Sequence, residues 1–140
     1  MVNDKILSRF QDDPPTNWNE GERLIRTEPL YSADEIIALL GDSDVIRPQT
    51  KKCRNDIQAL ELDNEDLAGL IRNAVRGGRY RKSVWCRVSA KAIVACDDYV
   101  VIDKFWVEAV GKEMDCEMYL KFAINQNGKL LLMVSCHPST

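Results

Sequence analysis

The chain has one histidine, His137, in 140 residues. It is the side chain whose ordinary pKa lies closest to neutrality, so it is the first candidate for moving protons. His137 follows an apolar, strand-like run, Leu130–Cys136, and stands beside Pro138. A histidine at the end of a core strand is held firmly enough to act as a general acid or base. In the run before it, Tyr119 and Lys121 lie two residues apart. In a strand they share one face, with Leu120 and Phe122 on the other. A third group is Arg79-Tyr80-Arg81-Lys82-Ser83, basic residues with an interleaved aromatic, a mixture suited to phosphates and a stacked base. Arg76, Arg87, Lys91 and Lys121 would extend the surface. Taken singly, each group also has a plain structural role open to it: an exposed histidine, a solvated sheet face, an ordinary basic loop.

Charge distribution sharpens the third group. From Arg72 to Lys91 there are seven basic residues and no acid, while the net charge is −3, so the remaining chain sums to −10. One concentrated basic surface on an acidic body points to a local anion site, or to a patch covered by an acidic partner. The Gly77-Gly78 pair in this run is not a P-loop, because the spacing is wrong and no Gly-Lys-Ser/Thr follows. Asp97, Asp98, Asp103, Glu113, Asp115 and Glu117 show no EF-hand spacing, and no metal or other cofactor is expected. The five cysteines are odd in number, include no Cys-x-x-Cys pair and fit no zinc pattern, which implies reduced thiols in a cytoplasmic protein. A cysteine nucleophile, Cys96 or Cys136, would have only His137 as its base. No apolar run approaches the ~20 residues needed to span a bilayer, and residues 1–13 carry acids without the apolar core of a secretory signal.

The elements that must position these residues read as one α+β domain over residues 29–140, preceded by a flexible or peripheral N-terminal arm, residues 1–28. Ser32 with Glu35 forms a helix-start signal ahead of Ala33, Ile36, Ile37 and Leu40, and Gly41 ends that helix. Residues 42–52 read as a loop or short extended piece. Asp63 caps a second helix over Asn64–Val75, with Leu67, Leu70, Ile71, Ala74 and Val75 as its core face. After Gly78 the chain turns to strand: Ser83–Val88, Ala92–Ile102, then Met118–Ile124 and Lys129–Cys136 around Asn125-Gln126-Asn127-Gly128, the strongest hairpin signal present. Phe105–Lys112 fits a short helix or a bent strand. Two or three helices in the N-terminal half packed on a small antiparallel sheet is the expected fold.

Several of these landmarks occur in an order that resembles the MqsR-type toxins, ribonucleases of the RelE-like group in bacterial toxin–antitoxin pairs. The matching elements are Tyr80-Arg81-Lys82-Ser83, Asp97-Asp98-Tyr99, Tyr119-Leu120-Lys121 and Leu130–His137. His137 stands where that family ends in a catalytic lysine. The resemblance implies a RelE-like fold, an antitoxin-like protein partner and metal-independent cleavage of RNA by attack of the ribose 2′-hydroxyl on the adjacent phosphate. It implies Lys82 and Arg81 on the phosphate, Tyr119 positioning or relaying a proton, and His137 as general acid. The alternative is a binding module that docks RNA or an acidic protein through the same surface without chemistry.

Overall fold

The computed structural model describes residues 4–107 and 109–139. The elements are β1 (Lys5–Ile6), α1 (Glu20–Arg23), β2 (Leu24–Arg26), α2 (Ala33–Leu39), β3 (Ile46–Pro48), α3 (Lys51–Ala59), α4 (Asn64–Gly77), β4 (Arg79–Ser89), β5 (Ala92–Val107), β6 (Lys112–Ile124) and β7 (Leu131–Pro138).

The fold departs from the expected helical half on a small antiparallel sheet. It is dominated by a seven-stranded mixed sheet with four helices, 43% strand against 28% helix. The antiparallel meander β4-β5-β6-β7 is its centre. β2 adds antiparallel to β4, β3 adds parallel to β7, and β1 runs parallel to β5. The N-terminal half therefore supplies three strands as well as helices, and the arm read as peripheral supplies two of them. Residues 1–3 of that arm lie outside the described residues. The physical reason for the departure is that strands of two or three residues carry no period-2 signature. Long-range pairing alone makes them strands.

Where helix ends were legible, capping accounts for them. The Ser32 hydroxyl accepts from Glu35 N, and Asp63 and Asp66 form a reciprocal box at the start of α4. Thr50 caps α3 by accepting from Cys53 N, in a segment expected to be loop. At the end of α4, Gly78 is needed for close approach rather than for its φ. A Cβ there would lie 2.7 Å from the Ala74 carbonyl oxygen and 2.8 Å from that of Val100. That contact seats the helix end on β5 and launches β4.

α2, α3, α4 and the segment through Tyr31 cover the Phe122 face of the sheet, while Arg23 of α1 lies beside Cys86 on the other, where Val94 and Cys96 are also buried. Cys136 of β7 packs toward α3, Tyr31 donates its hydroxyl to the Ala95 carbonyl, and Phe122 stacks on Tyr99 at 5.5 Å between ring centroids. Burial drives this layer, since each fully buried large side chain contributes roughly 1.5–3 kcal/mol. Phe122 is wholly buried. Phe122→Ala is expected to cost about 3–5 kcal/mol through lost burial plus a cavity. Chemical denaturation checks this, and a loss below about 1 kcal/mol would show that the stack is not a core contact.

Candidate functional site

Strand register decides which side chains meet, because residues opposite one another on neighbouring strands point to the same face. One cross-sheet row is Lys82, Asp98, Lys121 and Ser135. The next is Arg79, Val100, Tyr119 and His137. Lys82 and His137 therefore share a face, the one turned away from Phe122 and α3. Arg81 joins them through a β-bulge. The pairing passes from Tyr80 opposite Tyr99 directly to Lys82 opposite Asp98, leaving Arg81 as the extra residue. Its guanidinium reaches across the face to 3.7 Å from the Asp98 carboxylate and lies 5.2 Å from the Tyr119 ring centroid. Tyr119 in turn meets His137 edge to face, 5.7 Å between centroids and 88° between planes. The His137 Nδ1 is 2.9 Å from the Pro138 carbonyl oxygen, which holds the ring by that atom.

The centre of this arrangement is Asp98, which is 2% exposed. Its Oδ1 has no hydrogen-bond partner among the described residues. Burial raises the Asp98 pKa above the ordinary carboxylate value, and Arg81, Lys121, Lys82 and His137 pull it back down, in that order. These four basic groups thus surround one recessed carboxylate. A buried polar atom left unpaired is uncommon and costly. A recessed carboxylate ringed by basic groups is a candidate site residue.

Its neighbour Asp97 makes the contrast. Adjacent strand residues point to opposite faces, so Asp97 sits under the helices. There it accepts from Leu30 N at 2.9 and 3.1 Å, Tyr31 N at 3.1 Å and the Ser83 hydroxyl at 2.6 Å. Its pKa is also raised by burial, against the opposing hydrogen bonds from Leu30, Ser83 and Tyr31. Asp97 is a saturated structural latch, and Asp98 is an unsaturated site residue.

Of the residues singled out from sequence, Arg81, Lys82, Tyr119, Lys121 and His137 converge. Arg76 and Arg79 line an adjoining cleft of about 580 Å³ with Asn73, Val100 and Glu117. Three do not belong to this face. Tyr80 packs edge-on against Tyr99, hydrogen-bonds Ser83 and has its pKa raised by burial. Arg87 is paired with Asp4 and lies over Trp18. Lys91 stands in the β4–β5 turn at the far end of the strand pair. The cysteine alternatives are corrected too. Cys136 is under α3, with its thiol pushed up to about 12 by burial. Cys96 is fully buried and raised by that burial, while its hydrogen bond to Cys86 lowers Cys86.

Asp98 is the site residue that sequence reasoning missed. A signal existed: two adjacent acids inside a β-prone apolar run force one carboxylate onto each face. Among the described residues, no group of three or more His, Cys, Asp or Glu side chains gathers as a cation site would need. No helix of the described residues is long and apolar enough to cross a membrane. No protein-family model matches this chain, and neither does any curated protein or solved structure.

Proposed function

We propose that this face cleaves RNA without a metal, by attack of a ribose 2′-hydroxyl on the adjacent phosphate. The observation that carries the reading is the convergence of Arg81, Lys82, Tyr119, Lys121 and His137 around buried Asp98. The reaction places three demands on a protein, and each has a residue to meet it. Charge growing on the phosphoryl oxygens needs fixed cations, which Arg81, Lys82 and Lys121 supply. The 2′-hydroxyl must lose its proton, and the Tyr119 hydroxyl takes it up while passing its own to a phosphoryl oxygen. The leaving 5′-oxygen must gain a proton as the P–O5′ bond breaks, and His137 gives one. The phosphoryl oxygen then returns its proton to His137, so the protein ends as it began and the product carries a 2′,3′-cyclic phosphate. Asp98 touches none of the reacting atoms. It is a positioning residue that holds Arg81 between itself and the Tyr119 ring. An acidic protein that covered the face would block the reaction, which is the part an antitoxin-like partner would play.

The direct test is incubation of RNA with the purified chain in excess chelator. Cleavage that persists and leaves 2′,3′-cyclic phosphate ends is expected. Binding without cleavage would leave a docking module, and 3′-hydroxyl products would overturn the mechanism.

Asp98→Asn keeps the shape and removes the charge that orients Arg81. Its kcat is expected to fall roughly 10- to 100-fold, the scale of a misplaced catalytic group. The same variant reads the burial of the carboxylate. A carboxyl with a raised folded pKa holds a proton that the unfolded chain has released. Stability therefore falls as pH rises from the ordinary value, about 3.9, through the raised folded one, and is flat above it. The stability of wild type minus that of Asp98→Asn should decline across that window. A flat difference would place Asp98 in solvent contact, and one that rises with pH would mean that the surrounding cations outweigh burial and hold its pKa below the ordinary value.

A further inference from the structure

Beyond Val100, the β5–β6 pair leaves the sheet. β4 begins with Arg79 opposite Val100, and β7 ends with Pro138 opposite Met118. Ile102–Val107 and Lys112–Glu117 then pair with each other, tied beyond that only at Glu117, whose carbonyl oxygen accepts from Ser139 N at 2.9 Å, among the described residues. At about 3.3 Å per residue this two-stranded arm runs on for roughly 20 Å, with Phe105 packed on the core and Trp106 lining a cleft with Leu60, Leu62 and Leu70.

Its composition is opposite to that of the site. Residues 102–117 hold five acids and two lysines, a net −3 that equals the charge of the whole chain. Register puts Ile102, Lys104 and Trp106 opposite Glu117, Asp115 and Glu113, on the same face as Tyr119 and His137. Lys104 is neutralised by Asp115 at 3.2 Å. What remains on that face is Glu113 and Glu117, with no ion pair among the described residues, beside Ile102 at 64% and Trp106 at 58% exposure. Ile102 and Trp106 form an open apolar strip of the kind that a partner covers, and the acids beside it supply charge for a basic partner surface.

One face thus carries a cationic half with Arg81, Lys82 and Lys121, and an acidic, apolar half displaced along the same strands. A two-fold axis lying in that face, across the strands where the halves meet, sets the arm of each copy on the site of the other. A single self-complementary patch of this kind is what a symmetric dimer requires. We propose that a second copy of this chain occupies the face, each acidic arm seated on the partner's basic site. Resting on the reading of the site above, the monomer is then the form that cleaves, and the dimer is closed.

Light scattering of the full chain at low salt tests this without reference to cleavage. The expected mass is twice 16.0 kDa, falling to the monomer in about 1 M salt, where charges are screened beyond about 3 Å. Glu113→Lys with Glu117→Lys should be monomeric at every salt concentration, and so should Lys82→Glu with Lys121→Glu. Mixing the two should restore the dimer, since both contacts of the mixed pair regain opposite charges. Should the second double variant not fold, the first, with the salt titration, decides. A wild-type monomer, a dimer indifferent to the arm variant, or a mixture of folded variants that stays monomeric overturns the proposal. So does a monomer whose face is filled by a different protein.

Discussion

Replacing His137 by alanine is expected to lower RNA cleavage by about 10²- to 10⁴-fold, the usual contribution of one positioned proton donor. The stability change should be small by comparison, because the half-buried ring rests on the edge of Tyr119 and supports no other core contact of the helical layer. Activity and folding therefore separate in this variant, with circular dichroism and the denaturation midpoint near wild type. A chemical role also makes a claim that a packing role does not. Imidazole added to the buffer should restore part of the lost rate by protonating the leaving oxygen in place of the missing ring. Unchanged cleavage with the fold intact would remove His137 from the reaction. Loss without imidazole rescue would reduce it to a support for Tyr119.

Asp97→Ala should be the most destabilising single change on β5, by roughly 3–5 kcal/mol. The carboxylate is fully buried and serves three donors, Leu30 N, Tyr31 N and the Ser83 hydroxyl. Truncation strands the two backbone donors, and a buried donor without a partner costs about 1–3 kcal/mol; the Ser83 hydroxyl keeps the Tyr80 hydroxyl and the Glu28 carbonyl oxygen. The segment leading into α2 would also lose its tie to the sheet. Asp97→Asn should cost less, since one carbonyl oxygen still accepts. Equilibrium denaturation orders the two. The same truncation at Asp98 strands no hydrogen-bond donor and should cost less than at Asp97. If Asp98→Ala were the more damaging to stability, the division of labour between the two residues would be wrong.

This division shows where local sequence information ends. α2 and α4 were legible because Ser32 and Asp63 cap their own helices within three residues. The Asn125–Gly128 turn was legible because its φ of 76° at Gly128 is a glycine preference. The shared face of Tyr119 and Lys121 needed only strand alternation. α3 was missed although Cys53 and Ile57 sit four apart, because the basic residues around them dilute a short apolar face. β1, β2 and β3 were invisible for the reason that their partners lie tens of residues away. The site was half legible. Residue types named five of its members, but the separation of Asp97 from Asp98, and of Arg81 and Lys82 from Tyr80 and Arg87, depends on register across four strands. No short window contains that register.

The bulge at Arg81 has a consequence for how such a strand tolerates change of length. In a regular strand, losing one residue turns every later side chain over. Here Tyr80 already faces Tyr99 and Lys82 already faces Asp98, with nothing opposite Arg81. Removing that one residue would leave the pairing on both sides intact and the alternation regular. Position 81 is therefore a slot in a central strand where a cation can be inserted or lost as a unit while the sheet keeps its register.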